Sequence, residues 1–473
     1  MKTLNTTIIL IILFFVNTNT YSQSWQWGKR GGSYDQLSTL GGDRREEVYS
    51  IVTDANQNIY TLSSVGINGI DIDGHPKTGY GDPTTLTDYA LTSFACDGSY
   101  RWSKIIGGAG KENIMSLQID ALGYIYLAGN FNTCSGANYY PARIENDVIL
   151  LQDDNNCSTL FIAKFNGDGV MQWFKRPQVP GNITFNSCGT KGLVVEPNGN
   201  IHWLVIMPPG TFSDGAFVNT LAGYNWFVLD YDNNGNFVND TYIDMQFGPG
   251  AGTELQFFRN PNNGQYYFVN NKNSDESAIV GGQAINHDFY ISSFNSSGAF
   301  LWTRESTNTT SGGMRVYNLC FDANNNIYAG GSMAGGNVES FLGYNGNATF
   351  ETHFLMKMNP DASASIWANN NTKGTSDYGA IVLHNNEIGF SGYGVSTVNW
   401  AGGSVFVTSP NQGNRTLFGR FDQTTGACLG LTVIPSDTPA YNNGCAIAVD
   451  AAGDYIIGGG FSSQQFFGTG SNV

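Results

Sequence analysis

Short apolar stretches separated by polar turns recur along this chain and predict β-strands joined by tight hairpins. In Asp322-Ala-Asn-Asn-Asn-Ile-Tyr-Ala-Gly-Gly331, an aspartate ends the apolar run 316–321, and a second apolar run begins at Ile327. Asn, Asp and Gly favour the backbone conformations that hairpin turns require. The pattern therefore predicts strand, turn and strand.

The same hairpin occurs seven times. The position of Tyr328 recurs at intervals of 61 to 76 residues, at positions 60, 126, 202, 267, 328, 389 and 456. Between these copies lies a second hairpin, for example 91–102 and 161–173, whose last strand usually carries a tryptophan. Each unit holds four short strands, so we predict an all-β fold, a seven-bladed β-propeller of four-stranded antiparallel blades.

Five tryptophans occupy one position of the repeat: Trp27, Trp102, Trp173, Trp302 and Trp367. A large ring at a fixed place in each blade is expected to fill the space between neighbouring sheets. A row of sugar-stacking rings is the functional alternative.

The two ends of the repeat pattern complement each other. The segment 25–32 has the tryptophan-strand pattern but no hairpin partner upstream, whereas the last copy, 446–460, is followed only by a loop. We therefore expect the N-terminal strand to close the last blade, with one strand of that blade lacking. We hypothesise that the chain is truncated at the C-terminus.

The first 22 residues have the features of a signal peptide: Lys2, the apolar run 8–16 and small residues before a cut at Ser22-Gln23. Nine apolar residues are too few to cross a bilayer, which takes about 20. The predicted domains are 1–22, a signal peptide, and 23–473, a single propeller. We expect a secreted, extracellular or cell-surface monomer without a membrane span.

The charge content narrows the classes of binding partner, and the cysteine content predicts a disulfide. Only 13% of residues are charged, the net charge is -16, and lysine and arginine do not cluster, which argues against nucleic acid. Seven cysteines in an oxidising compartment leave at least one unpaired. Cys134 and Cys157 flank one insertion and are our expected disulfide.

Calcium is the one cofactor with any sequence support. Asp230, Asp232 and Asn234 match the start of a calcium-binding loop, but the twelfth position is Thr241 instead of glutamate. Plain turn chemistry explains the same residues, so we expect no cofactor and no metal. The repeated Asp54, Asp120, Asp322 and Asp450, with Glu196, are likewise expected to cap turns.

The pattern of Trp102-Ser-Lys-Ile-Ile-Gly-Gly108, followed by Ile119-Asp120 and Tyr124-Ile-Tyr-Leu-Ala-Gly129, resembles the SBBP (seven-bladed β-propeller) repeat family. The Asn- and Gly-rich composition and the N-terminus of the chain are similar to those of exported Bacteroidetes proteins. The resemblance implies the fold but no shared activity, and no catalytic motif is visible. We expect a binding or scaffold module for a protein or glycan, acting through the long loops after each Ile-Tyr strand or the channel. The alternative is an extracellular polysaccharide hydrolase or lyase at the propeller channel.

Overall fold

A computed structural model describes most of the chain. The described residues are 25–33, 46–81, 87–108, 113–132, 141–150, 158–177, 189–212, 217–248, 252, 254–272, 276–307, 314–333, 338–347, 351–372, 379–407, 413–434 and 442–461. The predicted signal peptide, Cys134, Cys157 and the end of the chain lie outside these residues. No helix among them could span a bilayer.

All regular structure in the described residues is β-strand. In chain order the first twenty strands are β1 (Gly31–Gly32), β2 (Val48–Thr53), β3 (Ile59–Val65), β4 (Ile70–Ile72), β5 (His75–Lys77), β6 (Asp88–Phe94), β7 (Tyr100–Gly107), β8 (Asn113–Ile119), β9 (Ile125–Asn132), β10 (Ala142–Ile144), β11 (Val148–Leu150), β12 (Ser158–Phe165), β13 (Met171–Lys175), β14 (Gly189–Val195), β15 (Ile201–Met207), β16 (Gly210–Thr211), β17 (Val218–Asn219), β18 (Asn225–Tyr231), β19 (Phe237–Ile243) and β20 (Met245–Phe247). The remaining strands are β21 (Gln256–Arg259), β22 (Tyr266–Asn271), β23 (Ala278–Val280), β24 (Gln283–Ala284), β25 (Phe289–Phe294), β26 (Phe300–Glu305), β27 (Met314–Phe321), β28 (Ile327–Met333), β29 (Val338–Phe341), β30 (Tyr344–Asn347), β31 (Thr352–Met358), β32 (Ser365–Asn370), β33 (Ala380–His384), β34 (Glu387–Gly394), β35 (Thr397–Trp400), β36 (Gly403–Phe406), β37 (Arg415–Asp422), β38 (Cys428–Val433), β39 (Asn442–Val449) and β40 (Tyr455–Phe461).

Six antiparallel four-stranded units follow one another along the chain. They are sheet one (β2-β3-β6-β7), sheet two (β8-β9-β12-β13), sheet three (β14-β15-β18-β19), sheet four (β21-β22-β25-β26), sheet five (β27-β28-β31-β32) and sheet six (β33-β34-β37-β38). The last sheet contains β39 and β40, and the described residues add no further strand to it. The first strand of each sheet lies beside the next sheet, and β39 returns to β2. This radial arrangement is a β-propeller.

The apolar core lies between neighbouring sheets. Leu160 and Ile162 of sheet two, for example, pack with Trp203 and Leu229 of sheet three. Similar buried clusters join sheets one and two, three and four, four and five, five and six, and the last sheet with sheet one. A sheet between two such clusters buries both faces, so its third strand is buried along its whole length, as in Phe289–Phe294.

The predicted hairpin turn is present in the opening stretch. Asn325 N donates to Asp322 O (2.9 Å) and Asp322 N donates to Asn326 O (3.1 Å), while Asn325 adopts a positive φ of 63°. This pattern is a type I turn followed by a left-handed residue, one of the common hairpin connections. In sheet six the turn is shorter, because Asn385 and Asn386 both take positive φ and connect the strands as a two-residue loop.

The long loops between second and third strands contain their own hairpins. They are β4-β5, β10-β11, β16-β17, β23-β24, β29-β30 and β35-β36. Several of them pair with the preceding sheet: β10 pairs with β7, and β23 pairs with β20, which follows the fourth strand of sheet three. Thr307 N, after sheet four, donates to Ser340 O of β29 at 2.9 Å. The loops thus connect neighbouring sheets.

The repeated tryptophans join one sheet to the next, as predicted. Trp102 Nε1 donates to Gly167 O at 3.0 Å, and Trp173 Nε1 donates to Asn233 O at 3.2 Å, each acceptor lying in a turn of the following sheet. A Cβ added to Gly169 in that turn would lie 2.8 Å from the Trp102 ring. The half-buried rings therefore pack on glycine turns between sheets.

The N-terminal segment 25–32 takes the position of a fourth strand beside the last sheet. β1 pairs with β4 in the same register as β7 pairs with β10. In the first pair, Gly31 lies opposite Ile72 and Gly32 opposite Asp71. In the second pair, the equivalent Ile106 lies opposite Ile144 and Gly107 opposite Arg143. Trp27 Nε1 donates to Cys96 O at 3.0 Å, in a turn of sheet one, as Trp102 does one sheet further on. The segment therefore lies where the last sheet would have its fourth strand.

Gly169→Ala should destabilise the protein more than Gly223→Ala. Both glycines have a positive φ (77° and 75°), so alanine is expected to cost about 1 kcal/mol at either position. A Cβ at Gly223 has nothing within 4 Å, whereas one at Gly169 meets Trp102, adding ~2 kcal/mol for overpacking. Denaturant unfolding measures both; equal losses would contradict the packing role of Trp102.

Candidate functional site

The candidate site is a cavity of about 810 Å³ beside β40, between sheet six, the last sheet, sheet one and the N-terminal segment 25–31. We call it the edge cavity. Among the described residues, no buried apolar cluster joins sheet six to the last sheet, in contrast to the other neighbouring pairs. The cavity lies where such a cluster would be expected.

The walls of the edge cavity are largely aromatic and aliphatic. Phe418 of β37 contacts Tyr455 of β40, with ring centroids 5.1 Å apart, and Trp25 lies edge-on to Phe418 at 6.4 Å. On the opposite side, Ile59 and Phe94 of sheet one line the cavity and are nearly fully buried. Such walls suit an apolar or aromatic occupant.

A polar cluster lies at one end of the edge cavity. Arg420 forms a bidentate pair with Glu387, with Nε–Oε2 at 2.7 Å and Nη2–Oε1 at 2.5 Å. Tyr455 OH donates to Glu387 Oε2 at 3.4 Å. Burial and the Glu387 carboxylate raise the pKa of Tyr455 to about 12. The phenol therefore stays protonated, and the two charges neutralise each other.

Two glutamates lie at the other end of the edge cavity and form hydrogen bonds between neighbouring parts of the propeller. Glu46 accepts from Gly66 N at 2.6 Å and from Ser33 N at 3.1 Å, linking sheet one to the N-terminal segment. Glu47 Oε1 accepts from Asn443 Nδ2 of the last sheet at 2.9 Å. No sequence motif marked these residues, because their partners lie 13, 20 and 396 residues away along the chain.

The three calcium candidates do not come together around one point. Asp232 Oδ1 accepts the backbone N–H groups of Asn234 (2.9 Å) and Asn236 (2.8 Å), as a turn cap does. Asp230 Oδ1 instead pairs with His202 Nδ1 at 2.7 Å. These contacts favour the turn interpretation. In the described part of the chain, no three His, Cys, Asp or Glu side chains are grouped in a way that could hold a metal ion.

The repeated aspartates cap turns, as predicted. In each of four copies Oδ1 accepts, at 2.9 Å, the backbone N–H groups two and four residues further on: Asp54, Asp120, Asp322 and Asp450. In sheet three Glu196 differs, since it pairs with Arg259 at 2.6 Å. Burial opposes ionisation, but Arg259 and His202 hold the pKa of Glu196 below its usual range.

One cysteine, Cys96, lines the edge cavity. Cys96, Cys320 and Cys428 form no disulfide. Burial raises the pKa of Cys320 to about 12, which keeps its thiol protonated and unreactive. The expected bridge between Cys134 and Cys157 falls outside the described residues and stays a prediction.

Comparisons with known proteins show no family. No family model matches the chain, and no curated protein matches its sequence. Among solved structures, it is similar to a protein of unknown function from Bacteroides caccae (10% identity, TM-score 0.38, 73% of this chain and 89% of that chain). It is also similar to a protein of unknown function from Dyadobacter fermentans DSM 18053 (13%, 0.39, 75% and 92%) and to the Dos1 propeller (9%, 0.38, 78% and 87%). Likeness at this level says nothing about activity.

Asp88, outside the edge cavity, is a buried carboxyl group with a shifted pKa. Its Oδ2 accepts from Tyr80 N at 2.6 Å, and its Oδ1 has no hydrogen-bond partner. Burial raises the pKa of Asp88 from 3.8 to about 8. A shifted pKa can mark a functional group, but no cation or second acid faces this one in the described contacts, so we interpret it as structural.

Asp88→Asn should make the free energy of unfolding fall less steeply as the pH rises from about 5 to 7.5. In this window the folded protein keeps a proton on Asp88 that the unfolded chain has lost, so stability falls as pH rises. The slope for one proton is at most about 1.4 kcal/mol per pH unit. Chemical unfolding across the pH range measures it.

Asp97→Asn is the control for that measurement. The hydrogen bonds from Ser99 hold the pKa of this exposed carboxylate below its usual range, so it titrates below the window. Its substitution should leave the slope between pH 5 and 7.5 unchanged. An unchanged slope in Asp88→Asn would show that Asp88 is ionised in the folded protein.

Proposed function

We propose that this chain is a secreted or cell-surface β-propeller that serves as a binding or scaffold module for a protein or glycan. We also propose that its seven sheets are the blades of one closed seven-bladed ring of the SBBP type, which an experimental structure can test. Secretion implies a mature protein that begins at Gln23, which intact mass spectrometry can test.

The edge cavity is the observation that supports binding. It is large, its walls carry aromatic and aliphatic side chains, and its lining includes the whole of β40. Arg420 and Glu387, at one end of it, already neutralise each other. The apolar walls can bury the apolar part of a ligand.

A polysaccharide hydrolase or lyase is the second candidate. The grouping of His384, Arg420 and Tyr455 along the edge cavity favours it, because the two rings lie 6.4 Å apart and the arginine is within the same polar cluster. A general base works best with a pKa near the working pH. The raised pKa of Tyr455, about 12, makes it a poor base, so binding is the better-supported function.

The mature chain should bind at least one member of a glycan array or a panel of purified extracellular proteins, with no product formed from the same glycans. Phe418→Ala should weaken this binding at least about tenfold, because it removes an aromatic wall of the edge cavity. Leu122→Ala, at a side chain 77% exposed on a distant turn, should not change it.

Glycan turnover that disappears in Tyr455→Phe would contradict this proposal in favour of the enzyme. Binding that is unaffected by Phe418→Ala would place the binding surface elsewhere, such as the long loops.

A further inference from the structure

A second, polar pocket opens between sheets five and six, at the end of the sheets that carries the repeated hairpin turns. We call it the turn pocket. Its volume is about 390 Å³, near the lower bound of the roughly 300 to 1,000 Å³ that small-molecule sites occupy. Three turn segments form its walls, 321–324 of sheet five and 383–386 and 423–424 of sheet six, and Tyr328 and Lys357 complete the lining.

The short turn of sheet six leaves this pocket open. The first hairpin turn of sheet three has five residues, 196–200, whereas that of sheet six has two, Asn385 and Asn386. The longer turn reaches over sheet two, since a Cβ added to Gly199 would lie 2.9 Å from Tyr126 OH. The turn of sheet six does not reach the equivalent place over sheet five, and the space there is the turn pocket.

Lys357 has hydrogen-bond donors to offer in the turn pocket. Its counterpart in sheet two, Lys164, donates to Asn233 O at 2.9 Å and lies 4.1 Å from the centre of the Tyr124 ring. Among the described residues, none accepts a hydrogen bond from Lys357 Nζ, and Asp322 Oδ2 is 3.6 Å away. Because an ammonium group has three donors, Lys357 can donate to a ligand.

Asp322 balances the charge of Lys357 but is itself saturated with hydrogen bonds. Its Oδ1 accepts from the backbone of Asn324 and Asn326 at 2.9 Å, and its Oδ2 accepts from Asn326 Nδ2 at 2.9 Å and Tyr328 OH at 3.0 Å. A carboxylate accepts about four such bonds. A ligand carboxylate at Lys357 would lie near this one and be repelled. The pair therefore favours an uncharged ligand that accepts from Lys357.

The rest of the turn pocket combines amides with an apolar patch. Asn324, Asn386 and Gln423 line it, and no described residue bonds to their side chains. Phe321 and Leu383 add apolar surface. A sugar ring has the matching chemistry, because its hydroxyls both donate and accept hydrogen bonds while its C–H groups form an apolar face.

We propose that the turn pocket binds one uncharged sugar residue, the terminal hexose of a glycan. One hydroxyl of the hexose accepts a hydrogen bond from Lys357 Nζ, and others bond to the side-chain amides of Asn324, Asn386 and Gln423. The small volume of the pocket favours a single residue. This site does not depend on the function proposed for the edge cavity, although His384 lines both.

The methyl glycosides of glucose, galactose and mannose are the probes, titrated one at a time into the mature chain and followed by ligand-observed NMR. At least one should bind saturably. Lys357→Met should weaken this binding at least about tenfold, because it keeps the apolar stem but removes the charged donor. Lys164→Met, the same change at the same repeat position of sheet two, is the matched control and should leave binding unchanged.

The methyl uronide of the bound hexose tests the preference for an uncharged ligand. It carries a carboxylate in place of one hydroxymethyl group and should bind at least about threefold more weakly, because that carboxylate would lie near Asp322. Tighter binding of the uronide would contradict the proposed ligand class.

Ala323→Trp tests the location without changing the core. Ala323 is exposed and lines the turn pocket, so an indole at this position would fill the pocket. It should weaken hexoside binding at least about tenfold. Ala55→Trp, at the same exposed turn position of sheet one, should leave it unchanged. Thermal unfolding should show that both variants are folded.

Three outcomes would overturn the inference: no binding of any of the three hexosides, unchanged binding in Lys357→Met, or unchanged binding in Ala323→Trp. Phe418→Ala, which alters only the edge cavity, should leave hexoside binding unchanged. Binding that survives Ala323→Trp but disappears in Phe418→Ala would assign the sugar to the edge cavity. That result would support the proposed function and contradict the site proposed here.

Discussion

The burial of sheet faces against neighbouring sheets is the constraint on which this structure depends. A four-stranded sheet with two apolar faces is not stable alone, so each sheet needs a neighbour on either side. Closing the row into a ring provides both neighbours without leaving an apolar end exposed. Thr53 Oγ1 bonds to Val449 O at 3.0 Å where the row closes, joining sheet one to the last sheet across most of the chain's length.

Much of this fold could be predicted from the sequence, because its strands and turns are local. Asp322 and Asn325 set a turn within a few residues, and Trp102 follows the glycine of its own hairpin turn, Gly98, by four residues. The hairpins in the long loops were not predicted. Their pairing with the preceding sheet depends on contacts such as Arg143 with Gly107, which no local periodicity records.

The candidate site was less accessible to sequence reasoning. Glu46, Arg420 and Glu387 stand in no recognisable motif, and the edge cavity arises from what two distant segments leave between them. The position of the N-terminal segment beside the last sheet was predicted from the unmatched ends of the repeat, but the cavity with apolar walls between them was not. The calcium candidates Asp230 and Asp232 were visible in sequence because turns and metal loops use the same residue types.

The pairing of a fourth strand with a loop hairpin of the following sheet, as of β7 with β10, also has a mechanical consequence. To detach one sheet, a pulling force must break hydrogen bonds at that sheet's own hairpin and at its fourth strand, together with two packed faces. Tension is therefore shared around the ring instead of peeling away single sheets.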